Sequence, residues 1–148
     1  RDGPLGVGSV QWFVDADHSE HYFTIYESRD DLHDQLRGIA ILDLAANNTD
    51  RKSGHCLLAH DHVWAIDNGL CFSADYKLRT VIWDFGGEPI AAQHREALAN
   101  LADHPPEELD ELLDRHEIQA LRERCRLTAE LAEFPIDETG HRYPWPLV

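Results

Sequence analysis

Two stretches of this chain place their apolar residues at helical spacing. Leu32, Leu36, Ile39, Ala40 and Leu44 share one face of a 3.6-residue turn, which predicts a helix from about Asp31 to Ala46 with Asp30 or Asp31 as its cap. Glu117–Phe134 carries Ile118, Leu121, Cys125, Thr128 or Ala129, and Ala132 on one face and predicts another. Between them, Ala91–Ala102 also reads as a helix. Pro105-Pro106 opens a further one, continued by "EELDELLDR", since proline is tolerated in a first turn.

Strand patterns are shorter. "SVQWFVD" is dense in β-branched and aromatic residues and predicts a strand over about 9–15. Cys56–Ala59 and Val63–Ile66 are apolar runs separated by His60-Asp61 and predict a small hairpin. His18–Ser28 has no clean period. Residues 68–90 contain three glycines and a proline, and only "TVIW" within them is strand-like; a loop of that length in a compact domain points to function. The tail, 135–148, has an extended, surface-packed pattern, "YPWPLV". The expected fold class is α+β, mainly helical, with a small β-hairpin.

The chain has 148 residues, 43% of them apolar and 28% charged, which suits one domain with one core. No apolar run reaches the roughly 18 residues of a membrane span. Cys56, Cys71 and Cys125 are too few and scattered for a disulfide framework, so a reducing cytoplasm is the expected location. A net charge of −15 opposes nucleic acid as a partner. The charge is uneven: Asp103–Asp114 holds six acids, whereas Leu121–Arg126 holds three arginines, and both read as solvated helix surface. There is no methionine, so the chain is expected to be part of something longer.

The densest chemistry lies in "NNTDRKSGHCLL" and "VWAIDNGLCF". A helix delivers a polar loop with Asp50, Arg51 and His55, and a hairpin returns the chain to Asp67. Antiparallel pairing of Cys56–Ala59 with Val63–Ile66 brings His55 beside Asp67, and Gly69 provides a sharp turn after it. Two carboxylates and a histidine at one rim suit a metal–phosphate site, one acid holding a divalent ion and the other orienting or deprotonating a hydroxyl. The same residues also suit plain turns. Near His55, no C-x-x-C or H-E-x-x-H pattern calls for zinc. "WDFGG" spells the protein-kinase metal motif, but Asp84 lies 34 positions after Asp50, whereas Asp67 lies 17 after it, the separation that one short hairpin allows. Asp84 is therefore not the expected metal residue. Phe85 with Gly86-Gly87 is expected to form a packed turn, with Trp83 and Trp64 as packing residues.

These two motifs resemble the catalytic and metal-binding loops of phosphatidylinositol 3/4-kinase-like proteins, most nearly the type II phosphatidylinositol 4-kinases. The whole chain, through "SVQW", "HDQL", "NNTDRKSGHCLL", "KLRTVIWDF" and "YPWPLV", resembles an actinobacterial kinase-like family of unassigned function. The resemblance implies the C-terminal lobe of a protein-kinase-like fold: a hinge strand at about 9–15, a catalytic loop at 47–55, a metal loop at 65–69, an activation-like loop at 68–90, helices over 91–134 and the extended tail. It implies an ATP-dependent phosphotransferase using Mg or Mn. Asp50 would position the acceptor hydroxyl and take its proton, and Arg51 would support the loop or a phosphate. Asp67 would hold the metal with His55 in the position usually occupied by asparagine, and Gln11, Trp12 and Phe13 would face adenine. Histidine suits ions softer than Mg²⁺. The glycine-rich loop and phosphate-binding lysine of an N-terminal lobe are missing, so this C-lobe is expected to be inactive alone. Lipid is no more favoured as acceptor than a protein or a soluble small molecule, and the oligomeric state is open. A pseudokinase or nucleotide-sensing interaction module is the alternative, and a metal-dependent hydrolase using His55 and Asp67 a third.

Overall fold

The computed structural model describes residues 2–4, 6–8 and 11–148. Among these the chain forms four α-helices and two small antiparallel sheets. Strands β1 (Asp2–Gly3) and β2 (Gly6–Val7) make a minimal hairpin. Helix α1 (Tyr22–Ser28) follows, then α2 (His33–Ala46), strands β3 (Cys56–Ala59) and β4 (His62–Ala65), and helices α3 (Ala92–Asp103) and α4 (Arg115–Glu130). This is the expected mainly helical α+β architecture, consistent with a kinase-like C-lobe.

The core joins all four helices to the irregular segment. Tyr22 and Ile25 of α1, Leu36 and Ile39 of α2, Leu98 and Ala102 of α3, and Leu121 and Cys125 of α4 are buried together with Val81, Ile82 and Phe85. Each large apolar side chain in such a place contributes about 1.5–3 kcal/mol relative to exposure. The amphipathic face expected in the last helix is the buried one, with Leu121, Cys125 and Thr128 inside and Asp114 capping the helix through the N–H groups of His116 and Glu117. The segment opening at Pro105-Pro106 is shorter than expected, a single 3₁₀ turn at Glu107–Glu111.

Several expectations are corrected. Ser9 and Val10 of the expected hinge strand lie outside the described residues. Gln11–Asp15 forms no strand, and Trp12 and Phe13 are 88% and 78% exposed. Strand propensity reports a fit to neighbouring strands, and among the described residues this segment has no partner strand. It meets the rest of the fold two residues later, where the Asp17 N–H donates to the Leu58 carbonyl of β3 (3.0 Å). The stretch without a clean period contains α1, whose seven residues bury Tyr22 and Ile25. Trp64 is 41% exposed and contacts His62 edge-on instead of packing inside.

Residues 68–90 are not one projecting loop. From Leu78 onward they enter the core, with Leu78, Thr80, Val81, Ile82, Phe85 and Ile90 buried. The earlier part is clamped by Asn47, which ends α2 in a left-handed conformation (φ 54°). Its amide nitrogen donates to the carbonyls of Ser73 and Asp75, and its amide oxygen accepts from the Lys77 N–H. Phe85 does lie in a packed turn. A Cβ on Gly86 would stand 2.9 Å from Ile136 and 3.1 Å from the Trp83 carbonyl, so only glycine fits there without movement. The Trp83 indole donates to the Arg142 carbonyl and ties this turn to the tail (3.3 Å).

Candidate active site

The 47–55 loop leaves the buried end of α2 and is locked by an ion pair. Arg51 is fully buried, and so is Asp43 of α2, an acid set in the apolar run "GIAILDLAA". Nε of Arg51 donates to both oxygens of Asp43 at 3.1 Å, and Nη2 donates to Oδ1 at 2.9 Å. Nη1 donates to the Ile66 carbonyl (2.6 Å) and Nη2 also to Oδ1 of Asn68. Asp43 further accepts from the Asn48 amide and the Thr80 hydroxyl, both at 3.0 Å. Burial lifts the Asp43 carboxyl above its ordinary range, while Arg51 and these two donors pull it back. One guanidinium thus joins α2, the loop and the chain leaving β4. Of the two roles read for Arg51, its enclosure leaves loop support and removes direct phosphate contact.

The hairpin brings His55 and Asp67 together. Cys56 pairs with Ala65 and Ala59 with His62, one residue earlier on the second strand than the sequence pattern predicts. His60 and Asp61 both have positive φ, as a two-residue type I′ turn requires. The Ile66 N–H then donates to the His55 carbonyl (3.0 Å). Asp67 itself takes a left-handed backbone (φ 53°), and this turn returns its carboxylate to the histidine. Gly69, expected to allow a sharp turn after Asp67, has no positive φ; the left-handed residue is Asp67 itself. Nε2 of His55 stands 3.4 Å from Oδ2 of Asp67, and Nδ1 accepts from the Lys52 N–H at 3.3 Å. With Nδ1 accepting, the ring proton sits on Nε2, the nitrogen nearer Asp67. His55 and Asp67 thus stand side by side at one rim, with Asp67 the more exposed of the two.

Asp50 is partly exposed on the same loop. Its carboxylate contacts the Lys52 ammonium, and its N–H donates to Oδ1 of Asn48 (3.0 Å). Asp67 is 65% exposed. Among the described residues no group of three His, Cys, Asp or Glu side chains forms a metal cage. An open carboxylate such as Asp67 instead suits Mg²⁺, which binds through one or two carboxylates and takes its remaining oxygens from phosphates and water. Asp84 is engaged elsewhere: the Tyr22 hydroxyl donates to it at 2.7 Å, and burial together with that carboxylate pushes the Tyr22 hydroxyl up. Asp43, Asn47, Asn48, Lys52 and Asn68 were not singled out by sequence reasoning. The signal for Asp43 was there, since a carboxylate inside an apolar helix face needs a buried partner.

Burial lowers the His55 pKa, and Asp67 opposes that shift. The folded protein accordingly takes up this proton less readily than the unfolded chain. The stability tied to neutral His55 is full above the ordinary histidine pKa of about 6.5 and is lost as pH falls through it toward the folded value. An NMR titration of His55 is expected to show a midpoint below that ordinary value, and Asp67→Asn to lower it further. A midpoint at or above it contradicts the partial burial of His55 as the dominant influence on its titration.

No helix among the described residues is long and apolar enough to cross a membrane. The chain is 34% identical to Protein Rv2133c of Mycobacterium tuberculosis (strain ATCC 25618 / H37Rv) over 184 aligned positions, covering 99% of this chain and 66% of that protein. It thus spans about two thirds of that relative's length. No solved structure matches. The model of the phosphatidylinositol 3- and 4-kinase family matches residues 3–132, nearly the whole folded unit including the Asp43–Arg51 lock and the Asp67 turn. The chain belongs to the phosphatidylinositol 3- and 4-kinase family.

Proposed function

We propose that this chain supplies the acceptor-activating and metal-holding half of an ATP-dependent phosphotransferase that transfers to an alcohol group. The supporting observation is the join made by Arg51, which ties the Asp50 loop to the chain carrying Asp67 and so keeps both carboxylates at the base of one hairpin. Asp50 orients the acceptor hydroxyl and takes its proton. Asp67 holds the divalent ion, Mg²⁺ or Mn²⁺, which neutralises charge on the ATP phosphates when bound. His55 stands beside Asp67 at the metal position, and Arg51 is a positioning residue. Gln11, Trp12 and Phe13 form the adenine-facing edge, completed by a lobe outside this chain; by itself the chain is inactive. The cell compartment is the cytoplasm.

A nucleotide-sensing module without turnover is the second reading. It is favoured by His55, which pairs with Asp67 where the family motif usually has an oxygen ligand. Metal-dependent ATP binding to the intact protein, with Asp67 present and replaced, tests both readings against no nucleotide function at all. Phosphoryl transfer then separates the first from the second.

A further inference from the structure

Three chain segments run side by side next to Asp50. The Arg51 N–H donates to the Arg79 carbonyl and the Val81 N–H to the Arg51 carbonyl, both at 3.1 Å, which makes a parallel bridge between Arg51 and Thr80. On the far side the Thr80 N–H donates to the Arg142 carbonyl of the tail (3.0 Å). Arg51 and Thr80 both turn inward to Asp43. Successive side chains of extended backbone point to opposite faces, so Asp50 and Arg79 share the outward face.

Beside this bridge lies a recess of about 350 Å³, lined by Thr49 (the chain neighbour of Asp50), Tyr76, Lys77, Arg79, His141 and Arg142 above the buried Leu78. Such a volume suits a small molecule. No acid lines it, in a protein with 28 acidic residues against 13 lysines and arginines. The side chains of Arg79 and His141 have no hydrogen-bond or ion-pair partner among the described residues. Arg142 leans on the Tyr76 ring, its guanidinium carbon 5.2 Å from the centroid, and donates to the Tyr76 hydroxyl at 3.4 Å. Lys77 meets Asp75 at 3.6 Å, both well exposed. The unpaired Arg79 guanidinium beside Arg142 in a common recess is suited to bind a phosphate group.

We propose that this recess binds a phosphate group carried by a soluble acceptor and so presents the acceptor's hydroxyl to Asp50. The proposal rests on the phosphotransferase reading and names its acceptor class. A soluble molecule is favoured over a lipid because the cationic surface is a local recess walled by the tail, on a protein of net charge −15 that anionic membranes repel.

The test titrates the intact protein with inorganic phosphate and follows the Arg79 Nε–H and His141 ring signals by NMR. Saturable shifts are expected, weakened about tenfold in Arg79→Ala, weakened by added salt and unchanged in Arg115→Ala. Vesicles of phosphatidylcholine and phosphatidylinositol, four to one, are expected not to sediment the protein. Absence of shifts, or equal affinity in Arg79→Ala, overturns the recess as a phosphate site. Arg79-dependent vesicle binding overturns the soluble acceptor in favour of lipid. ATP binding on the same samples separates the readings: metal-dependent ATP binding without phosphate at Arg79 removes the recess alone. Phosphate at Arg79 without ATP binding removes phosphotransfer and, with it, the acceptor role.

Discussion

Replacing Arg51 with alanine is expected to destabilise the protein by about 3–5 kcal/mol. The substitution leaves Asp43 buried in α2 with its main charge partner gone and only Asn48 and Thr80 still donating to it. It also strips a donor from the Ile66 carbonyl and from Asn68. Against a total stability of about 5–15 kcal/mol for a domain, a loss of that size brings the protein close to unfolding. Urea denaturation should show a lower midpoint with an unchanged slope. The double variant Asp43→Leu/Arg51→Met removes both charges and should recover part of the stability, because it leaves no buried unpaired charge, although Asn48 and Thr80 then lose their acceptor. It should not recover function, since nothing then holds the 66–68 turn. A loss below about 1 kcal/mol for Arg51→Ala would show that the pair is not the lock described.

Asp50→Asn is expected to lower the rate of phosphoryl transfer by about 10²–10⁴-fold while leaving folding and ATP affinity near those of the unaltered protein. Asparagine keeps the shape of the side chain and the backbone bond to Asn48, but it cannot accept the proton of an acceptor hydroxyl. The informative comparison is Asp84→Asn. Asp84 accepts from Tyr22 and sits by the core turn of Phe85, so its replacement should leave transfer rates intact despite the D-F-G spelling. Equal losses in the two variants, or less than a tenfold loss for Asp50→Asn, would remove Asp50 from the role of proton acceptor.

Much of the candidate site was legible because it rests on local rules. A two-residue turn between apolar runs predicts a hairpin, and a hairpin brings its flanks together, so His55 beside Asp67 follows from spacing. The pairing is nevertheless offset by one residue. The contact survives because Asp67 adopts a backbone conformation no strand pattern encodes. What stayed hidden is long-range. Asp43 reads as an anomaly in an apolar helix until Arg51 is seen beside it, and no period links Asn47 to the carbonyls of Ser73 and Asp75. The burial of Leu78, Thr80, Val81, Ile82, Phe85 and Ile90 was hidden for a related reason: their segment pairs with the 48–51 loop and the tail through single bridges, not repeating ladders. Helix α1, at seven residues, is too short to display a period.

In the proposed phosphotransferase, Asp67 and not Asp84 holds the metal of an ATP complex. Equilibrium binding of ATP to the intact protein, in Mn²⁺, in Mg²⁺ and in chelator, addresses it directly when repeated with Asp67→Ala and Asp84→Ala. Metal-dependent binding is expected, weakened at least about tenfold by Asp67→Ala and unchanged in Asp84→Ala. ATP binding of equal strength in the unaltered protein and in Asp67→Ala, or no ATP binding in either metal, would contradict it.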